Sequence, residues 1–196
     1  GIFIPPSCAK ALARVNPNGQ DAPMQEPLPS PFTLRPEKPA ERAAIATLLA
    51  RAYGAAAVGV IELIGTLRRL PSYKPELTCV GITDRKIGAY ALFTPVMVGS
   101  QPHAALLLAP VAMDPNVVGN LAPSVWLQQV LTHVTRQGFR YVLVQGDPKV
   151  YLPEGFVPAT NLGVTGATPP TGELLLVKDL HPGRPTSLSG AVVYPA

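Results

Sequence analysis

The sequence has few cysteines and few charged residues. Only Cys8 and Cys79 occur among 196 residues, so a scaffold held together by several disulfides is excluded. Cys79 lies in an apolar, strand-like run, which favours a buried thiol over a reactive one. Charged residues make up 14% of the chain and apolar residues 47%, so we expect a folded domain with a substantial core.

The chain also lacks dense basic runs, Cys/His metal-binding spacings and apolar stretches of membrane-spanning length. The net charge is +4, and no Lys/Arg run is interleaved with aromatic residues. The first eight residues have no basic region and no long apolar core, so they do not resemble a signal peptide. We therefore expect a cytoplasmic protein without a metal that binds neither nucleic acid nor membranes.

Proline, by contrast, is abundant, and it marks the domain boundary. The chain has 24 prolines, and many of them fall within residues 1–31. Prolines at this density remove backbone donors and favour extended conformations. We predict that residues 1–31 form an arm or linker and that residues 32–196 form one domain. The arm could wrap its own domain or a neighbouring subunit, which leaves a homodimer open.

The predicted elements follow an order typical of an α/β fold. A first strand begins at Phe32, and two helices follow, the second closing at Arg68-Arg69, where cations suit a solvated helix end. Apolar and alternating patterns then predict a helix from Ser124 to Gly138 and six further strands: Leu77–Thr83, Ile87–Val98, Ala104–Met113, Tyr141–Val144, Phe156–Pro158 and Glu173–Leu180. We expect a mixed, largely antiparallel central sheet with helices on both faces.

The segment from Leu106 to Leu131 is a strand, a turn-rich loop and a helix. The apolar run stops at Asp114-Pro115, and the helical pattern begins near Ser124. This arrangement places the free backbone N–H groups of a helix N-terminus at the end of a strand. Such a site suits an anion, most often a phosphate.

The order of these elements resembles the GNAT superfamily of acyl-CoA N-acyltransferases, from about Phe32 to Pro195. Six segments carry the resemblance: Thr33-Leu34-Arg35-Pro36, Ile87–Phe93, Leu108–Pro115, Gly146-Asp147-Pro148, Tyr151 with Gly155–Pro158, and Gly172–Leu180 continuing to Ser189-Gly190. The last segment is similar to the subgroup of predicted N-acetyltransferases. The resemblance implies acetyl-CoA as co-substrate and transfer of an acyl group to a small-molecule or peptide amine.

The resemblance also implies residue roles. The strand ending at Asp114 would splay from its neighbour at a bulge, and backbone groups of Val111 and Met113 would pair with the pantetheine arm of acetyl-CoA. Tyr151 matches the position of the tyrosine that protonates the leaving thiolate. Its ordinary pKa of about 10 suits an acid. An ordinary amphipathic tyrosine at a loop end is the alternative.

The phosphate loop departs from the family pattern of Gln/Arg-x-x-Gly-x-Gly/Ala. Only Gly119 matches a glycine position, Val118 replaces a polar residue, and Leu121 and Pro123 replace small residues. The backbone N–H groups of Asn120, Leu121 and Ser124 could still bind the pyrophosphate. The function that the resemblance implies is N-acyl transfer. The alternatives are an inactive binding or regulatory module with this fold and, more weakly, a domain of a larger assembly.

No general base can be identified from the sequence. Glu62 lies on the second predicted helix, which often borders the acceptor site in this family, but a solvated helix residue is the favoured interpretation. His133 is more typical of a structural or solvent-facing residue.

Overall fold

The computed structural model describes residues 32–167, 172–183 and 188–195. The predicted arm, residues 1–31, lies outside the described residues. Within them there are nine strands: β1 (Thr33–Pro36), β2 (Thr78–Thr83), β3 (Lys86–Val98), β4 (Gln101–Met113), β5 (Tyr141–Gly146), β6 (Val157–Pro158), β7 (Val164–Thr165), β8 (Leu174–Asp179) and β9 (Gly190–Val193). The helices are α1 (Arg42–Tyr53), α2 (Ala57–Leu67), α3 (Pro115–Val118), α4 (Pro123–Arg136) and α5 (Pro148–Tyr151).

The sheet has the strand order β1-β2-β3-β4-β5-β8-β6, with β9 joining the end of β3 and pairing with β7. Neighbours along the main path are antiparallel except β4 and β5, which are parallel. The predicted mixed, largely antiparallel α/β sheet is therefore confirmed. The parallel β4–β5 pair follows from the β4–α4–β5 crossover, because α4 returns the chain to the same end of the sheet. The short strands β7 and β9 are also parallel.

Helices cover both faces of the sheet. Helix α4 packs through Trp126, Leu127 and Val130 on one face, and α1 and α2 pack on the other face. Alternation along β3 explains this division: Ala91 faces α4, whereas Tyr90 faces α1 and α2. The apolar face of α4 is thus the face that is buried.

Cys79 lies on β2 and is completely buried. Burial raises the pKa of its thiol to about 12, so the protonated and unreactive thiol dominates at neutral pH. The prediction of a buried, unreactive cysteine is confirmed.

Three details differ from the sequence-based predictions. The segment after β4 is not a loop throughout, because Asp114 caps the one-turn helix α3 by accepting a hydrogen bond from the Asn116 N–H at 3.0 Å. Arg68 does not form a solvated helix end. Its guanidinium is largely buried and binds the Glu37 carboxylate through Nε at 2.7 Å. The last predicted strand is Glu173–Leu180, whereas Gly190–Val193 form a further strand, β9.

Pro39–Leu67 is long and apolar enough to qualify as a membrane span by length and composition, whereas we predicted no such stretch. Within the described residues this segment is not one continuous helix, because it consists of α1 and α2 separated by a short turn at Gly54. The two helices have 12 and 11 residues, or about 18 and 16 Å, and each is shorter than the roughly 30 Å core of a bilayer.

Candidate active site

A gap opens in the middle of the sheet between β4 and β5. The two strands pair only from Ala105–Leu107 to Tyr141–Leu143, although β4 continues to Met113 and β5 to Gly146. A bulge lies where they part, because Ala91 and Phe93 of β3 pair with Val111 and Leu108 of β4, so three steps of β4 oppose two of β3. The diverging strands leave backbone groups on both walls without a strand partner across the gap.

The backbone of Val111 and Met113 faces this gap. The Asp114 N–H donates to the Gly88 carbonyl on β3 at 2.8 Å. Since backbone groups of an antiparallel strand point alternately to either side, those of Ala112 face β3 and those of Val111 and Met113 face away from it. The side chains of Val111 and Met113 are buried in the α4 core. These two residues therefore offer backbone groups to the gap and only apolar side chains to the core.

Tyr53, the last residue of α1, lies against the same wall. Its hydroxyl donates a hydrogen bond to the Val111 carbonyl at 2.6 Å, and its side chain is buried. No local sequence pattern indicates this contact, because the two residues are 58 positions apart. One of the carbonyl groups expected to meet a pantetheine arm is thus hydrogen-bonded within the protein, although a carbonyl oxygen has a second lone pair.

The segment between β4 and α4 is shaped by apolar packing at Val118 and Leu121. Both side chains pack against the α4 core. Val118 lies so close to β3 that a Cβ added to Gly88 would be 2.8 Å from its Cγ1 atom. These side chains are therefore directed inward and supply no polar group to a phosphate. Gly119 adopts φ +60° with open space around its Cα, so its backbone conformation, not crowding, requires glycine.

The N-terminus of α4 presents free backbone donors. The N–H groups of Asn120, Ala122 and Ser124 have no acceptor within the described part of the chain, whereas the Leu121 N–H donates to the Val118 carbonyl at 3.3 Å. Pro123 occupies the first helical position and lacks an N–H. Three unengaged donors at the positive end of a 14-residue helix suit an anion. Of the predicted donors, Asn120 and Ser124 are available and Leu121 is engaged within the loop.

Tyr151 ends α5 and is completely buried. Its ring lies against the end of β5, where a Cβ on Gly146 would come within 2.6 Å of the ring, and it packs edge-on against Phe156 at 5.5 Å between centroids. Glycine at position 146 therefore makes room for this aromatic side chain. The same core contains Val111 and Met113, so the tyrosine lies on the α4 side of the sheet.

A buried carboxylate, which the sequence reasoning missed, lies at the end of β5. Glu173 precedes β8 and is 9% exposed; Gln145, at the end of β5, is 6% exposed and hydrogen-bonds to its carboxylate. Burial raises the pKa of Glu173, the Gln145 hydrogen bond opposes this, and the negative charge of Asp147 adds to it. A lone Glu after a Gly/Thr/Pro loop carries no sequence signal, because its burial depends on strand pairing.

The other candidates lie elsewhere. Glu62 is exposed on α2, and His133 on α4 has its Nε2 3.1 Å from the Glu76 carbonyl oxygen at a partly exposed position. Among the residues that the structure describes, no three His, Cys, Asp or Glu side chains lie close enough together to hold a metal ion.

No family model and no curated protein matches the sequence, but solved structures match the fold. YhbS, a GNAT family N-acetyltransferase from Escherichia coli solved with CoA, is 24% identical, with a TM-score of 0.70 over 86% of this chain and 92% of that one. A GNAT family acetyltransferase from Brucella melitensis solved with acetyl-CoA is 20% identical, with a TM-score of 0.62 over 84% and 96%. The chain therefore has the GNAT fold.

Proposed function

We propose that this protein transfers an acyl group, most simply acetyl, from CoA to a primary amine by direct attack. The observation that supports this most strongly is the gap between β4 and β5, toward which the backbone groups of Val111 and Met113 point. Two proteins with this fold were solved with CoA or acetyl-CoA. A fold alone does not establish an activity, so the argument depends on the gap and the helix terminus beside it.

The residues present fit acetyl-CoA, which would supply the reactive thioester. Backbone groups of Val111 and Met113 would hold its pantetheine arm, and N–H groups of Asn120 and Ser124 would hold its pyrophosphate, which suits the unengaged donors at the start of α4. Gly119 supplies the backbone turn, and Leu121 packs the loop against the core.

Within this site the chain's own residues position groups and move protons. An N–H group on β4 would stabilise negative charge on the acyl oxygen, and Tyr151 would hold a proton at its hydroxyl for the leaving sulfur. Positioning supplies much of the rate enhancement in such a direct transfer. The acceptor would be a small-molecule or peptide amine.

The second candidate is a GNAT-fold binding or regulatory module without catalysis. Specific observations favour it. Val118 and Leu121 face the core, and Pro123 removes one backbone donor. The Val111 carbonyl already accepts a hydrogen bond from the Tyr53 hydroxyl. The homodimer, the cytoplasmic location, a place within a larger assembly and the absence of nucleic-acid and membrane partners stay predictions.

Calorimetric titration with acetyl-CoA, with free CoA for comparison, tests the proposal. Micromolar affinity is expected, and the absence of binding at millimolar acetyl-CoA would exclude the transferase. Gly119→Pro should abolish binding, because proline cannot adopt φ +60° and the Gly119 N–H bond to Pro115 at 3.1 Å is lost.

Gly138→Pro is a matched control at the other end of α4. Gly138 also has a positive φ, open space and an N–H bonded to a preceding carbonyl, that of Thr135 at 3.0 Å. Both variants should lose comparable stability, but only Gly119→Pro should lose acetyl-CoA. Equal affinities in the two variants would place the cofactor away from this loop.

A further inference from the structure

Glu173 and Gln145 point to the same face of the sheet, opposite α4. Leu175 of β8 pairs with Gln145 of β5 and packs in the core on that face together with Leu143. Side chains two residues apart on a strand share a face, so Glu173 lies beside Leu175 on it, and Gln145 lies beside Leu143. Gln145 is also two residues beyond the last pairing of β5 with β4, and it therefore borders the gap.

The carboxylate of Glu173 has no cationic partner in the described part of the chain. Its Oε2 is buried and accepts no hydrogen bond from the described residues. The charged group whose field reaches it is Asp147, which is also negative and whose carboxylate caps α5 by accepting from the Lys149 N–H at 2.9 Å. Two carboxylates thus lie at the end of β5.

Glu37 shows how this fold treats a buried glutamate with a structural role. The Glu37 side chain is 5% exposed, and it receives two hydrogen bonds from the Arg68 guanidinium, at 2.7 and 2.5 Å, and one from the Tyr73 hydroxyl at 3.2 Å. A buried carboxylate without such partners is costly, because the lost hydration is not replaced. Glu173 is comparably buried but has only the amide of Gln145.

We infer that the carboxylate of Glu173 binds the ammonium group of the acceptor, and that Asp147 restricts the acceptor to alkylamines without a nearby carboxylate. This inference depends on the proposed acyl transfer. The ammonium R–NH₃⁺ gives one proton to the carboxylate, which leaves a neutral amine R–NH₂ and a neutral carboxylic acid. The nitrogen lone pair is then free to attack. A raised pKa of the Glu173 carboxyl makes it a better proton acceptor than an exposed glutamate.

Four linear probes of the same carbon number test this inference by calorimetry on the full chain at neutral pH: 1,4-diaminobutane, 4-amino-1-butanol, 4-aminobutanoate and 1,4-butanediol. We expect the first two to bind at least about tenfold more tightly than the last two, since tenfold corresponds to only 1.4 kcal/mol. Glu173→Gln keeps the shape but removes the charge, and it should weaken binding of both favoured amines by at least about tenfold. The exposed Glu76→Gln is the matched control and should leave binding unchanged.

The two proposals fail in different ways. Acetyl-CoA affinity should be the same in wild type and Glu173→Gln, because the cofactor residues lie on β4 and α4. Amine binding that depends on Glu173 but is unaccompanied by acetyl-CoA binding would support the amine site and exclude the transferase. Binding of no amine, equal affinity for diaminobutane and butanediol, or unchanged amine affinity in a folded Glu173→Gln variant would overturn the inference.

Discussion

The two walls of the gap are built in different ways. On the β4 wall, Val111 and Met113 present backbone groups while their side chains are buried in the core. On the β5 wall, the polar group is the side chain of Gln145. The carboxylates of Asp147, just after β5, and of Glu173, just before the neighbouring strand β8, lie close to it. A wall made of backbone tolerates side-chain variation as long as the strand keeps its course. A wall made of side chains changes its chemistry with every substitution.

This difference suggests a division of labour. A backbone wall suits a co-substrate whose shape is constant, because strand geometry alone provides its hydrogen bonds. A side-chain wall suits an acceptor that differs between proteins of the same fold, since the fold does not determine the function of a site. The net charge of +4 says little about the proposed acceptor, because the two charges at the end of β5, those of Asp147 and Glu173, are negative.

The largest expected effect comes from removing the support of the backbone wall. Trp126 is completely buried, packs edge-on against Phe32 at 5.3 Å and donates its indole N–H to the Tyr90 carbonyl at 3.3 Å. Trp126→Ala should lower the free energy of unfolding by about 3–5 kcal/mol and weaken acetyl-CoA binding, because α4 loses its anchor. Unfolding in urea should be followed by circular dichroism, since Trp126 is the only tryptophan.

The control is Val58→Ala, at a position 67% exposed on α2, which should change stability by at most about 0.5 kcal/mol. If Trp126→Ala shows the expected loss of stability but still binds acetyl-CoA with wild-type affinity, then the backbone wall does not depend on the position of α4.

The same contrast explains what could be predicted from the sequence. Periodicity identifies most elements of the sheet, and the run ending at Asp114 identifies the strand beside the gap, because these patterns are local. The one-turn helix α3 was missed since four residues carry no period, although Asp114-Pro115 is a recognisable start. Gly190–Val193 were missed as β9 because a short strand after a Pro/Gly-rich segment has too little apolar alternation.

The parts of the site that were missed depend on contacts between distant residues. Tyr53 reaches Val111 only after α1 folds onto the sheet, and Glu173 becomes buried only when β8 pairs with β5. A cation at a helix end is usually solvated, so the sequence predicts an exposed Arg68. In the fold it forms a largely buried ion pair with Glu37. Local patterns cannot reveal such pairs without the topology.

A smaller effect should follow from Tyr53→Phe, which tests whether the backbone wall is open to a ligand. Loss of the hydrogen bond to the Val111 carbonyl should lower the free energy of unfolding by about 1 kcal/mol. Acetyl-CoA affinity should rise, because a pantetheine N–H then no longer shares the carbonyl oxygen with the tyrosine hydroxyl. Tyr73→Phe is the control: away from the gap it loses the hydroxyl that donates to Glu37 and accepts from Thr78, each at 3.2 Å, and it should leave affinity unchanged. A lower affinity in Tyr53→Phe would show that the hydroxyl itself helps to bind the cofactor.

The smallest expected effect is a pH dependence that distinguishes the two ends of β8. Burial raises the pKa of Glu173 in the folded state. The folded protein therefore binds this proton more tightly than the unfolded chain does. The resulting stabilisation is fully present below the unfolded pKa of about 4.3 and is lost as the pH rises through the folded pKa. Glu173→Gln should remove this pH-dependent loss of stability. The variant therefore becomes more stable relative to wild type as the pH rises through that interval, and the difference in free energy of unfolding is constant above it.

Asp179 at the other end of β8 provides a control of opposite sign. Burial alone would raise the pKa of Asp179, but hydrogen bonds from Arg140 and the His181 N–H lower it below its usual range. Its stabilisation is present above the unfolded pKa and is lost as the pH falls through the folded pKa, so Asp179→Asn should lose stability relative to wild type near neutral pH. Urea unfolding from about pH 3 to about pH 8 measures both slopes. If Glu173→Gln and wild type differ by a constant amount across this range, Glu173 ionises as it does in the unfolded chain, and its carboxylate is not poised as the inferred amine site requires.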